Sequence, residues 1–366
     1  MNKYSMNQIS LKQYIFIICE TQVGIGVLAL PRDLAKNAGT DGWISIVLGW
    51  IMSILVSLVI IRVMERNPEY TLFELLSKYF GKWVGKGLAV AWILFAAYSA
   101  ITLMLATIHI IKIWIVPDIR NFILMILFIV PIYMITKQGI RVIGHFAEFV
   151  FMITLWMPFL LLLALKDVEW MYLLPIGKGD LFPILSTVKS TVYSFLGFEL
   201  AFILYPFLKD KKSASKGIVI ANSLSMIIYL TTTIVCFVKF SPVEVTEYVY
   251  PVLNLLKVIQ LPFLERLEII CLSFYLFILF MTIIPYTYMA ALGISHLFGK
   301  QDHRNSIRIN MILWIVMSFF FIPTSSQITK MGESQGTIGL CFAFMFPIFL
   351  WIYGWLFHRR RKEHRQ

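Results

Sequence analysis

Long apolar stretches of about 20 residues recur along the chain, separated by short polar segments. Each stretch is long enough for a transmembrane helix, and the sequence lacks the short alternating segments of a membrane β-barrel. The pattern predicts an all-α polytopic membrane protein with ten transmembrane helices. We expect these spans near residues 11–36, 43–64, 83–111, 120–136, 143–166, 187–208, 216–239, 266–298, 308–323 and 337–357.

Polar residues and glycines interrupt the first and sixth predicted spans at similar depths. The first span contains Thr21–Val27, with Gly24 and Gly26, and the sixth contains Ser194–Leu200; a proline follows each a short way on. Glycine in a helix interior costs about 1 kcal/mol relative to alanine. Paired interruptions indicate broken helices around a transporter-type binding site, whereas a single glycine is equally typical of helix–helix contacts.

The ten spans divide into two halves of five, so the second half would enter the membrane from the opposite side. This arrangement predicts a 5+5 inverted repeat within a single permease-like domain covering residues 1–366. The first repeat is expected at about 11–166 and the second at about 180–357, followed by a basic cytoplasmic tail at 358–366.

Composition and charge support this class and suggest an orientation. Of the 366 residues, 59% are hydrophobic and 14% charged, whereas soluble domains carry about 25% charged residues. The predicted topology places 21 Lys and Arg on the side of the two termini and ten on the other, so both termini are expected in the cytoplasm. The net charge of +12 then reflects topology and anionic membrane lipid. The basic residues are scattered over short loops, so they give no support for a nucleic-acid partner.

The two interrupted helices predict a binding site for a small zwitterion. The N-terminus of a half-helix presents free N–H groups and a positive dipole end, which suit a carboxylate, and freed carbonyls suit an ammonium group. An amino acid is therefore the expected ligand. The candidate binding residues at the interruptions are Thr21, Gln22, Val23, Gly24, Gly26, Leu196, Gly197 and Glu199.

Spans 3 and 8 are expected to pack beside the broken pair. Tyr98 and Thr102 in span 3 are four residues apart and share a helix face. In span 8, the hydroxyl of Thr282 is a candidate to face the cavity. The alternatives are a threonine that bonds its own i−4 carbonyl and a tyrosine that lies at the membrane interface.

Three carboxylates lie within apolar runs, where ionisable groups are costly and often functional. Glu199, beside the second interruption, is a candidate to take up a proton, coordinate a cation or cap the unwound segment. Glu20 is a candidate to line an inner vestibule. Glu148 lies three residues after His145, which favours a structural ion pair or hydrogen bond.

Signatures of catalysis and of a metal or cofactor site are missing from the sequence. It contains no H-E-x-x-H, G-x-S-x-G or Walker A motif, and its four cysteines show no C-x-x-C spacing. We therefore expect a protein that is not an enzyme, with no catalytic residue, metal site or cofactor.

An ordered set of short motifs resembles the B subunit of spore germinant receptors, the GerA-family germination permeases of the amino acid–polyamine–organocation (APC) superfamily. The resemblance covers about residues 8–358. Its motifs, in chain order, are Ile9-Ser10-x-x-Gln13, Gly24-x-Gly26-x-Leu28-x-Leu30-Pro31, Asp41-Gly42-Trp43, Leu72-Phe73-Glu74, Gly81-Lys82-Trp83, Ser194-Phe195-Leu196-Gly197-x-Glu199, Pro206, Pro251 and Leu264-Glu265-Arg266.

This resemblance implies a LeuT-type fold and a nutrient sensor of the spore inner membrane that works with A and C receptor subunits. The pocket positions of the family correspond here to Gly24, Phe95, Leu196 and Thr282, with Tyr98 one turn from Phe95. Span 5 has no lysine in its middle to replace a coupling cation, which argues against ion-coupled transport. The alternative is an autonomous secondary amino acid transporter.

Overall fold

The computed structural model describes residues 7–174, 177, 181–259, 265–299 and 302–363, and these are mainly helical. Leu264 of the last predicted motif, the expected start of the second repeat near residue 180, and residues 364–366 of the tail lie outside the described residues. The helices of the first half are α1 (Leu11–Gln22), α2 (Ile25–Ala38), α3 (Gly42–Glu65), α4 (Leu72–Trp114), α5 (Asn121–Thr136), α6 (Ile140–Thr154) and α7 (Met157–Leu163).

The second half starts with a helix that breaks and continues as short helical turns. Its helices are α8 (Leu181–Ser194), α9 (Ala201–Leu204), α10 (Ala214–Lys239), α11 (Pro242–Glu247), α12 (Pro251–Val258), α13 (Leu267–Leu297), α14 (Arg304–Phe320), α15 (Ser325–Leu340) and α16 (Phe346–Glu363). A π-helical turn, Cys341–Met345, joins α15 to α16.

Local capping explains where two of these helices begin. The Ser10 hydroxyl accepts from the backbone N–H of Gln13, whose side chain accepts in return from the Ser10 N–H, a capping box that starts α1. Thr71 and Glu74 form the same box at the start of α4. Two of the motifs singled out in the sequence are therefore helix N-termini.

Both predicted breaks are present in the fold. The first span is divided into α1 and α2 at Val23 and Gly24. The second is a pair of helical segments, Phe182–Ser194 and Phe198–Phe207, bent by 47°. The prediction of two broken helices is confirmed.

The predicted span boundaries need three corrections. Span 3 is the later part of a 43-residue helix that begins at Leu72 and contains one non-helical residue, Gly81. Span 10 begins at Ser325 instead of 337, because a capping box at Thr324 starts a helix whose first half is too polar for a hydropathy pattern to detect. Span 5 consists of two helices: α6 ends at Thr154, and α7 begins at Met157 with Pro158 in its first turn.

Length and composition alone identify fewer membrane helices than ten. Within the described residues, 6 helices are long and apolar enough to cross a membrane, or 7 if the bent pair counts as one span. The other predicted spans are divided or short: α1 has 12 residues, α5 has 16 and α14 has 17. The pattern is that of a multi-pass membrane protein in which several helices are broken.

Packing places the two breaks at the centre of the bundle. The long helices α4 and α13 pack along each other, α1 lies against α6, α10 and α13, and α3 lies against α8 and α10. The chain segments of both breaks are buried.

Candidate functional site at two broken helices

The first break frees backbone carbonyls at the end of α1, and side chains of α10 and α13 bind them. The Tyr275 hydroxyl donates to the carbonyl of Gly24 at 2.7 Å and reaches that of Val23 at 3.2 Å. The Tyr229 hydroxyl lies 2.7 Å from the carbonyl of Gln22. The Thr282 hydroxyl reaches the carbonyl of Glu20 at 3.3 Å, in addition to its own i−4 carbonyl. These carbonyls are therefore paired within the protein in this conformation.

The second break turns at Gly197, whose φ of +128° is strained for any residue with a Cβ atom. Its N–H donates to Glu199 Oε2 at 2.7 Å, and the other carboxylate oxygen accepts from the Tyr286 hydroxyl at 2.6 Å. Of the three roles considered for Glu199, capping of the unwound segment is the one that this geometry displays. The carboxylate also links the break to α13.

One glutamine holds the two breaks together. Gln22 Nε2 donates to the carbonyl of Phe195 at 2.8 Å and to Asn222 Oδ1 at 3.0 Å, while its Oε1 accepts from Ser225 at 2.7 Å. The hydroxyl of Tyr229 lies between the carbonyls of Gln22 and Ser194, 2.7 Å from each. The network satisfies every polar atom of the Gln22 side chain in a buried position.

Two glycines allow the backbones to approach closely. A Cβ atom on Gly24 would lie 2.7 Å from Thr282 Oγ1 and 2.8 Å from its Cγ2. One on Gly197 would lie 3.1 Å from side-chain atoms of Thr21 and Gln22. Gly24 therefore contacts α13, and the two breaks pack directly on each other.

An aromatic cluster lies beside the breaks and joins α4 to the π-helical turn. The ring of Phe95 stacks on that of Phe342, with centroids 5.0 Å apart, and meets Tyr286 edge-on at 6.2 Å. Phe344 contacts Phe198, next to the second break, at 5.1 Å. π-Helical turns within α-helices occur frequently at functional sites.

The structure gathers most of the predicted binding residues in one region, where they are tightly packed. Phe95 and Leu196 are buried, and Leu196 packs on Gly339. Gly26 lies beside Ser194 of the second break. Tyr98 lies farther out, where its hydroxyl donates to the carbonyl of Met331 at 3.3 Å. The role of this set in binding a ligand stays a prediction.

The other two intramembrane carboxylates have different surroundings. Glu148 accepts from Gln13 at 3.2 Å and lies 3.4 Å from His145 Nδ1, which is the structural contact favoured by the sequence. Glu20 lines a largely apolar cavity between α1, α6, α10 and α13, and its place at an inner vestibule stays a prediction. Val23 alone among the predicted binding residues lines this cavity.

Comparison with known proteins identifies the family. A family model for spore germination proteins, the spore permeases, matches residues 8–329. The chain belongs to the spore germination protein family. A relative from Bacillus cereus, the spore germination protein GerQB, is 27% identical over 94% of this chain and 95% of its own length. The family predicted from the ordered motifs is confirmed.

Solved structures confirm the predicted LeuT-type transporter fold of this spore germination protein. The crystal structure of MhsT in complex with L-phenylalanine matches with a TM-score of 0.59 at 11% identity, over 95% of this chain and 98% of MhsT. A Na⁺-coupled sialic acid symporter matches with a TM-score of 0.63 at 11% identity, over 94% of this chain and 80% of its own. At these identities the solved structures show the fold that the chain shares with them, while the family model shows its family.

Sequence reasoning missed several residues that build the site of this spore germination protein. Asn222, Ser225 and Tyr229 of α10 hold Gln22, and Phe342 covers Phe95. The first three are spaced by three and four residues, so they form a polar stripe on one face of an apolar helix. The polar stripe could have been recognised in the sequence as part of the site, whereas nothing in the sequence distinguishes Phe342 from its aromatic neighbours.

Replacement of Tyr275 by phenylalanine is expected to destabilise the first break. The change removes the hydroxyl that binds the carbonyls of Val23 and Gly24, both of which are buried. Buried acceptors without a donor cost about 1–3 kcal/mol, so we expect a lower unfolding temperature for the purified Tyr275→Phe protein. Tyr172→Phe, in the half-buried turn after α7, is the matched control. Equal unfolding temperatures for Tyr275→Phe and wild type would show that the hydroxyl is not needed.

Proposed function

We propose that this spore germination protein is the membrane subunit of a spore germinant receptor and that it binds a small nutrient, an amino acid, at its two broken helices. The observation that supports this most directly is the contact between the breaks, with Gly197 packed on Thr21 and Gln22. Such paired breaks bring helix ends, with their free backbone groups and dipoles, to one point within the membrane.

The start of α2 is the proposed site for the ligand carboxylate. Gly24 occupies the N-cap position, and none of the side chains that the structure describes caps the helix there. The first N–H groups of a helix without a cap are available to an anion. Apolar neighbours, among them Leu196 and Phe198, would then bound a small side chain.

The polar first half of span 10 supports entry of the ligand to the candidate site from the outer side of the membrane. In α15, Lys330, Glu333 and Thr337 are exposed, although the helix belongs to a membrane-length span. Exposed polar side chains at such depths favour a water-filled space. Tyr98 and Tyr193 bond to α15 residues and lie on the same side.

The packed state of the site suggests how a signal would arise. Phe95, Phe342 and Leu196 fill the space beside the breaks, so a ligand has to displace some of these contacts. A ligand shifts the equilibrium only if it binds one arrangement better than the other. The π-helical turn contacts both Phe95 and Phe198 and is the proposed element that transmits the change.

The receptor proposal includes partners and a location. We propose that the chain lies in the spore inner membrane with both termini in the cytoplasm and acts with A and C receptor subunits. The uneven distribution of Lys and Arg between the loops supports the orientation.

A binding screen on the purified chain tests the proposal. We expect at least one amino acid to raise the unfolding temperature of the wild-type protein, whereas sugars and nucleosides leave it unchanged. The rise should be lost in Gly197→Ala, which strains the backbone between the breaks. A screen in which no amino acid binds would reject the nutrient site.

An uptake assay separates the receptor from an autonomous transporter. The paired carbonyls at Val23 and Gly24 favour a receptor, because the Tyr275 hydroxyl already binds the acceptors that a coupling cation would need. We therefore expect proteoliposomes of the chain alone to accumulate no labelled amino acid under a proton or sodium gradient. Gradient-dependent uptake would favour the transporter.

A further inference from the structure

A cavity of about 220 Å³ opens beside the first break, and the aromatic cluster of Phe95, Phe342 and Phe344 does not line it. It is bounded by α1 and α2, by both parts of the interrupted helix α6–α7, and by α10, α12 and α13. Its walls are apolar apart from a few threonines, Tyr275 and the carboxyl group of Glu20. An apolar protein cavity of about 150 Å³ is sufficient to hold benzene.

Glu20 is the unexplained group in this cavity. The residue is 4% exposed, and its Oε2 has no hydrogen-bond partner among the residues that the structure describes. Among the residues that the structure describes, no lysine, arginine or histidine lines the cavity. Burial of a carboxyl group without a partner costs several kcal/mol, so such groups normally pair with another group.

The cavity is reached from the apolar surface of the protein. The side chains at its mouth, Leu155, Phe159 and Ile227, are 47%, 63% and 54% exposed. They belong to the membrane-length segments Ile140–Leu163 and Lys211–Lys239. In a bilayer these side chains face the acyl chains, so a ligand would enter from the membrane.

We propose that this cavity binds an aliphatic primary amine, with the alkyl chain against its apolar walls and the nitrogen on the Glu20 carboxyl group. An amine and a carboxyl group form a pair that is neutral overall whichever of the two holds the proton. A neutral amine can therefore enter from the bilayer and receive the proton that the carboxyl group gives up. Coulombic attraction then holds the ammonium beside the carboxylate, in surroundings where such attraction is stronger than in water.

The site is separate from the proposed nutrient site but adjacent to it. Val23 lines the cavity, and Glu20 is held to α13 through the contact of its carbonyl with Thr282. The inference rests on the cavity and on Glu20, so it stands whether or not a nutrient binds at the breaks.

Thermal unfolding with hexylamine tests the proposal, with the full chain in lipid nanodiscs. We expect hexylamine to raise the unfolding temperature of the wild type by about 2–5 °C at saturation. Glu20→Gln, which keeps the shape of the side chain, should abolish this rise, and Glu148→Gln should keep it. Hexanol, which has the same chain without the amine, should shift the wild type and Glu20→Gln equally. An equal hexylamine rise in wild type and Glu20→Gln, or no rise in the wild type, would overturn the proposal.

Thiol labelling gives a second readout on the unaltered chain. Cys19 and Cys271 line the cavity, whereas Cys341 is exposed and lies outside it. We expect hexylamine to slow the reaction of methyl methanethiosulfonate with the first two thiols, measured by mass spectrometry of the peptides. The rate at Cys341 should not change. Equal protection of all three thiols, or of none, would contradict an amine in the cavity.

Discussion

Spores in which this protein carries Gly24→Ala are expected to need at least about tenfold more nutrient to germinate. A Cβ atom at this position would lie 2.7 Å from Thr282 Oγ1 and 2.8 Å from Cγ2, on a buried face of α13. Overpacking of this kind costs about 1–3 kcal/mol. Because the crowding occurs at the proposed carboxylate site, the cost should be felt as a loss of nutrient affinity. The measurement is a germination dose–response at equal protein abundance.

Two further variants test the cause of that shift. Gly87→Ala places the same methyl group in the interior of α4, where no atom of the described residues lies within 4 Å, and should leave the dose–response unchanged. Thr282→Ala removes both crowding atoms, so Gly24→Ala should lower the unfolding temperature less in the Thr282→Ala background than in wild type. An unchanged dose–response for Gly24→Ala at normal abundance would contradict the proposed site.

Local signals were enough to predict the broken helices. The glycines and polar residues at Thr21–Val27 and Ser194–Leu200 differ so much from their apolar surroundings that a continuous helix was disfavoured before packing was considered. Capping boxes also depend on a few neighbouring residues, which is why the Ser10–Gln13 motif recurs in the structure as the start of α1.

Contacts between segments that are distant in the chain could not be predicted from the sequence. The expectation that freed carbonyls would await a ligand overlooked Tyr229 and Tyr275. Their hydroxyls reach the first break from positions 207 and 251 residues farther along the chain. Glu20 also shares its cavity with residues at the interruption after Thr154, which lie more than 130 residues away in the chain. Hydropathy also missed the first half of span 10, because that half is polar and exposed.

This dependence on distant contacts makes Gln22 the second position with a large expected effect. Gln22→Leu keeps the approximate size of the side chain but removes the amide that binds Phe195 and Asn222. The carbonyl of Phe195 and Oδ1 of Asn222 would then be buried acceptors without this donor. Each such group costs about 1–3 kcal/mol, so we expect a loss of about 2–4 kcal/mol in the free energy of unfolding. Denaturant unfolding of the purified chain measures it.

The control is Gln138→Leu, the same substitution at an exposed position between α5 and α6, which should change the stability little. The two breaks meet through Gln22, so the variant should also separate them. Cross-linking of cysteines introduced at Thr21 and Phe198 should fall in Gln22→Leu and persist in Gln138→Leu. If Gln22→Leu unfolds like wild type and cross-links equally well, then the packing of Gly197 on α1 is sufficient to join the breaks, and the polar network is not what holds the candidate site together.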